Sequence, residues 1–137
     1  LILEENAGNM LAIASRGIPR NIINWISKLL LLNPSKTIID DKAVLRMFNT
    51  ERTMPSGITA QEIQYMEILQ SGDGISAKSV ENLLGLDVES LKEMEAELQK
   101  IGLVEILPSI GRILTPKGRE YMRFVSSGDK DDRRFLH

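Results

Sequence analysis

At 137 residues the chain is long enough for one domain of common size or two small ones. Hydrophobic residues make up 42% and charged residues 26%, ordinary for a soluble globular protein, while aromatics at 4% require an aliphatic core. A net charge of −2 excludes a broad basic surface for nucleic acid, and the absence of cysteine excludes disulfides, thiolate metal sites and cysteine nucleophiles, in keeping with a cytoplasmic protein.

The apolar run from Leu29 to Leu32 is far short of the ~20 residues of a membrane span, and no signal-peptide pattern opens the chain. The chain begins at Leu1 inside what reads as an element, so a fragment of something longer is expected. Residues 4–14 read as a helix opened by acidic residues, with Met10, Leu11 and Ala14 on one side. A second helix begins at Pro19 or Arg20 and runs to about Leu31. Ile22, Ile26, Leu29 and Leu30 form its expected buried stripe, widened by Ile23 and Trp25. Asp40 caps a third helix with Val44, Met47 and Phe48 inward. Residues 49–57 are polar, contain Pro55 and Gly57, and read as a linker. Thr59 and Glu62 make a capping box, opening a helix with Ile63, Met66 and Leu69 inward.

The organising stretch runs from Ile75 to Arg119. Ser76 caps a short helix bearing Val80, Leu83 and Leu84, and Gly85 ends it. Asp87 caps the next, whose Val88, Leu91, Met94, Leu98 and Ile101 share one face. Gly102 stops that helix. Two β-type runs, 103–107 and 112–115, flank the turn cluster Pro108-Ser109-Ile110-Gly111. Thr115-Pro116 then starts another helix. Helix, turn, helix, hairpin, helix is the order of a winged helix, a common nucleic-acid-binding module. The fold class expected is mainly α: a small helical bundle over residues 1–56, a winged helix with a short β-hairpin wing over 57–125, and a disordered polar tail over 126–137.

Arg20 stands in the first turn of its helix, where a cation opposes the dipole unless an anion lies near. It reads either as a phosphate contact or as a solvated arginine after a proline. The helix from Asp87 to Lys100 carries Glu89, Glu93, Glu95 and Glu97 against Lys92 and Lys100, and an acidic helix is repelled by the major groove. Arg112, Lys117, Arg119 and Arg123 make a better basic strip beside the wing, suited to phosphates, or else a solvated face.

Two patterns are decoys. Residues 72–79 fall one glycine short of a P-loop, but follow a helix rather than a strand and read as a winged-helix turn. Thr37 to Asp41 faintly resembles the acidic end of a Mg²⁺-holding strand, with helix capping the simpler account. No nucleophile elbow or metal-spaced cluster occurs, and the single histidine is His137 at the end of the chain. Catalytic and metal-ligating residues are therefore not expected in this chain.

The stretch Ala14-Ser15-Arg16-Gly17-Ile18-Pro19-Arg20-Asn21-Ile22-Ile23-Asn24 resembles a lid-domain segment of the RuvB family, hexameric AAA+ motors that drive branch migration of Holliday junctions. Gly57, Gly102-Leu103, Gly111-Arg112 and Thr115 are similar to the family's winged-helix positions. The resemblance spans roughly residues 4–124. It implies that the first unit is an AAA+ lid, that Arg20 is the sensor reaching the ATP γ-phosphate, and that Arg112 is a wing arginine approaching DNA. It also implies ATP and Mg²⁺ bound by an upstream core, a homo-hexamer in the whole protein, a RuvA-like partner, and a four-way junction or duplex as substrate. The fragment by itself is expected to be monomeric and to hydrolyse nothing. The hairpin departs from the family by one extra residue and by keeping one arginine where three are usual. The rival readings are another AAA+ initiator or loader, a winged-helix transcriptional regulator, and a winged helix that contacts protein.

Overall fold

A computed structural model describes residues 2–35, 38–129 and 131–136. Thr37, in the acidic stretch weighed above, and His137 lie outside them.

The chain divides into two compact units, residues 2–59 with 131–135, and residues 60–129. In the first, strand β1 (Ile2–Leu3) leads into helix α1 (Glu5–Ala14), then α2 (Pro19–Leu32), strand β2 (Ile38–Ile39) and α3 (Asp41–Glu51). β1 and β2 pair in parallel, Ile2 with Ile38 and Leu3 with Ile39. Asp40 caps α3 as its residue type dictates, its carboxylate accepting from the Ala43 N–H at 2.9 Å. The core joins Ala7, Leu11 and Ala14 of α1 to Val44, Met47 and Phe48 of α3, with Leu29 and Ile39 completing it. Trp25 packs edge-on against Phe48, ring centroids 5.4 Å apart.

α2 departs from expectation. Of its stripe only Leu29 is buried; Ile22 and Ile26 are half-buried, and Ile23, Leu30 and Leu31 are exposed. Periodicity identifies an apolar face but not what covers it.

The linker reading over residues 49–57 is also corrected. α3 continues to Glu51, and the following turn is held by hydrogen bonds: Met54 N–H donates to the Ile58 carbonyl at 2.8 Å, and Gly57 N–H to the Met54 carbonyl at 2.7 Å. Ile58 is fully buried, so residues 57–59 belong with the first unit. Gly57 adopts a φ of +96°, and a Cβ there would stand 2.0 Å from the Ala14 carbonyl oxygen. Close approach to α1 therefore requires glycine at this position.

Residues 131–136 are not disordered. Arg133–Leu136 form a 3₁₀ turn, Phe135 is buried, and Asp132 is 0% exposed. The Asp132 carboxylate accepts from the Ser56 N–H at 2.9 Å and from the Ser56 hydroxyl. A polar tail becomes a strap on the first unit because one carboxylate meets two donors of Ser56 and one phenyl ring is buried.

The second unit is a winged helix: α4 (Ala60–Ile68), a 3₁₀ turn (Leu69–Ser71), α5 (Ala77–Leu84), α6 (Val88–Lys100), strands β3 (Val104–Leu107) and β4 (Gly111–Leu114), and α7 (Pro116–Ser126). The expected caps form, with Ser76 accepting from Ser79 N–H, Asp87 from Ser90 N–H and Thr115 from Gly118 N–H. β3 and β4 pair antiparallel, Val104 with Leu114 through Leu107 with Gly111. Ile75 adds a third, single-residue strand by exchanging two backbone hydrogen bonds with Arg112. The near-P-loop of residues 72–79 thus serves as the segment that pairs with the wing. α7 docks by its third residue: a Cβ on Gly118 would lie 2.0 Å from the Leu103 carbonyl oxygen.

Candidate nucleic-acid interface

Four cations of the second unit were singled out from sequence, and the fold separates them into two pairs. Arg112 points inward. Its Nε donates to Glu95 Oε2 at 2.6 Å and its Nη2 to Oε1 at 3.2 Å, a bidentate pair joining β4 to α6. Tyr65 of α4 donates its hydroxyl to the same Oε2 at 2.6 Å. The Glu95 side chain is 3% exposed and that of Arg112 is 17% exposed. The hydrogen bond to Glu95 raises the Arg112 guanidinium above its ordinary value. Burial first, and Glu95 second, hold the Tyr65 phenol well above its ordinary value.

This triad ties three elements together and fixes the wing to the helical core. Sequence reasoning missed Tyr65 and Glu95. In the sequence Glu95 reads as one of several acids on an acidic helix, yet it stands four residues after Leu91 and three before Leu98, both buried. A carboxylate on an apolar stripe requires a counter-charge, and that signal could have paired it with Arg112.

Lys117 also turns inward. Its Nζ donates at 2.8 Å to the carbonyl of Ile101, the residue that caps the C-terminus of α6. A cation there satisfies an orphan carbonyl and complements the helix dipole.

Arg119 and Arg123 face outward, one turn apart on α7. Arg119 reaches back to the Leu114 carbonyl at 3.2 Å, and Arg123 makes no side-chain hydrogen bond among the described residues. Both line a groove of about 330 Å³ whose walls include Gln70 and Ser126. Two guanidinium groups over a groove with an amide and a hydroxyl can hold phosphate oxygens by charge and hydrogen bond without reading bases. The opposite signal comes from the acidic α6, where Glu89 and Glu93 stay exposed, and from Leu83, Val88 and Ile110, apolar residues left in solvent.

Arg20 lies in the first unit. It is exposed in the first turn of α2, where Ile18 offers no capping side chain and Pro19 holds the first position. It makes no hydrogen bond or ion pair among the described residues. Pro19 carries no N–H and the Asn21 N–H donates to the Ile18 carbonyl at 3.1 Å, so what this turn offers an anion is the exposed guanidinium with the Arg20 N–H at the positive end of the helix dipole.

No group of three or more metal-capable side chains occurs among the described residues, and none of their helices is long and apolar enough to cross a membrane.

No family model and no curated protein matches the chain. Among solved structures it is similar to the Thermotoga maritima RuvB Holliday junction branch migration motor, with a TM-score of 0.78 at 23% identity over 90% of this chain and 43% of that one. The chain has the RuvB fold over this region. Two point variants of the same Thermotoga protein match alike, at TM-scores of 0.78 and 0.75. The chain spans less than half the length of these RuvB structures, 43% in each case quoted. The mainly α architecture, a helical bundle followed by a winged helix with a short hairpin, agrees with the RuvB-like reading of the sequence.

Proposed function

We propose that this chain is the lid and winged-helix portion of a RuvB-like, ATP-driven DNA motor, and that its own contact with DNA is made by α7 against the phosphate backbone. The observation that carries the DNA contact is the division of the four cations. Arg112 and Lys117 turn inward onto protein acceptors, while Arg119, with one nitrogen on the Leu114 carbonyl, and Arg123 stand exposed along one groove. In this reading Arg112 is not the DNA contact that family resemblance assigns to it; it sets the wing. The upstream core supplies the nucleotide site, with ATP and Mg²⁺. Arg20 reaches the γ-phosphate and links ATP to movement of the lid. Assembly as a hexamer, a RuvA-like partner and action on four-way junctions in the cytoplasm belong to the whole protein in the same reading.

The test is fluorescence anisotropy of a labelled four-way junction and of a same-length duplex, titrated over a range of salt. Binding should be indifferent to sequence and fall steeply with salt. Arg119→Ala with Arg123→Ala should abolish most of it and flatten the logarithmic salt slope by about 2, roughly one unit per lost phosphate contact. A double variant that binds like the parent would remove α7 from the interface.

A second reading has one observation in its favour. Leu83 and Val88, on either side of the α5–α6 turn, are exposed apolar residues beside an acidic helix. Such a surface suits a protein partner better than DNA. It predicts no salt-sensitive binding to either DNA at low salt.

A further inference from the structure

We infer that the first unit carries a peptide-docking cavity, closed on one side by the C-terminal strap, that takes a short segment with an apolar side chain next to a lysine or arginine. The cavity measures about 590 Å³, within the range of small-molecule and peptide pockets. It lies wholly inside this unit, among α1, α3, the turn at Pro55 and the strap.

The lining divides by chemistry. Met10, Ile13, Leu45 and Pro55 make an apolar floor, and Leu45 is otherwise an unexplained exposed leucine. Asn6 and Asn9 stand one turn apart on α1, and neither side-chain amide makes a hydrogen bond among the described residues. Side chains so spaced have Cβ atoms about 5–6 Å apart, a span that brackets the N–H and C=O of one extended residue. Each amide offers both a donor and an acceptor, as a peptide unit requires.

Charge selects the ligand further. Asp41 and Asp131 are the acids of the rim, and Arg133 is its cation. Arg133 already donates twice to Asp131, at 2.8 and 2.7 Å, so it has little left for an incoming anion. Asp41 accepts only from its neighbour's N–H and forms no ion pair among the described residues. The rim is therefore net negative, repels phosphate and carboxylate, and favours a cationic side chain beside the apolar one. The strap is part of the site, because Asp131 and Arg133 come from it and Asp132 clasps it to Ser56.

The inference is independent of any DNA contact. It is tested on the full chain, labelled with ¹⁵N, by following amide shifts during titration with blocked tetrapeptides Gly-Leu-Arg-Gly, Gly-Leu-Glu-Gly and Gly-Gly-Arg-Gly, and with adenosine monophosphate as the anionic small-molecule arm. The expected result is a saturable response to Gly-Leu-Arg-Gly, centred on Asn6, Asn9, Leu45 and Asp131. The other two peptides should bind at least several-fold more weakly. Asp41→Asn, at a half-exposed position outside the core, should weaken the response about three- to five-fold, as loss of a partly exposed ion pair implies. Asp132→Ala, which releases the strap, should weaken it further. The inference is overturned by equal responses to the arginine and glutamate peptides, by a stronger response to adenosine monophosphate, by shifts centred elsewhere, or by no response at millimolar peptide.

Discussion

Replacing Arg112 with alanine separates an arginine that holds the wing from one that holds DNA. The substitution strands Glu95, 3% exposed, with Tyr65 as its remaining side-chain partner among the described residues. Removing one member of a fully buried ion pair costs about 3–5 kcal/mol, mostly because the other charge is left uncompensated. Arg112 is itself 17% exposed, so some water reaches the pair and the figure falls to about 2–4 kcal/mol. A unit of some 70 residues has roughly 4–10 kcal/mol to lose, so the effect is large. Urea denaturation followed by far-ultraviolet circular dichroism measures it. Glu95→Gln keeps an acceptor for Tyr65 and for Arg112 and should cost about half as much. An Arg112→Ala chain within about 0.5 kcal/mol of the parent would refute the argument, since ordinary surface substitutions fall in that range.

Other consequences are open to direct test. Tyr65 should resist ionisation when phenolate absorbance is followed in alkali. A phenol held above its ordinary value contributes stability in full below about pH 10, and that contribution is lost as pH rises further, so Tyr65→Phe should flatten the alkaline decline in stability. Asp132→Ala should free the strap, and trypsin should then cut after Arg133 or Arg134 at least ten-fold faster than in the parent; an unchanged rate would mean that the strap already opens freely. Gly57→Ala should destabilise the first unit by more than about 2 kcal/mol, because alanine disfavours the positive φ and its Cβ meets the Ala14 carbonyl; a silent variant by thermal melting would contradict the close approach.

Local chemistry made much of this fold legible. Asp40, Ser76, Asp87 and Thr115 each cap a helix because a short oxygen-bearing side chain meets free N–H groups, and Gly85 and Gly102 each adopt a positive φ at a helix end. These signals depend on neighbours in sequence, so they survive without tertiary information. What was illegible depends on distant partners. Glu95 looked like one more acid on a charged helix until Arg112 and Tyr65 stood beside it. Asp132 looked like part of a polar tail until Ser56, far back in the chain, supplied two donors. The apolar face of α2 was read correctly as apolar and wrongly as buried. Of the candidate interface, the residue types were legible, but their division into inward and outward pairs was not. That division follows from hairpin register and from the docking of α7, which place Arg112 over α6 and Lys117 at its C-terminal end.

The central claim is that DNA meets α7 while the wing arginine serves the fold. The most direct measurement is an amide-shift map of the ¹⁵N-labelled chain titrated with an unlabelled four-way junction at low salt. The account predicts shifts concentrated around Gln70, Arg119, Arg123 and Ser126, reversed by added salt, with α6 unmoved and the guanidinium signal of Arg112 unchanged. Shifts centred on α6, or a junction-dependent change at Arg112 with α7 silent, would contradict it.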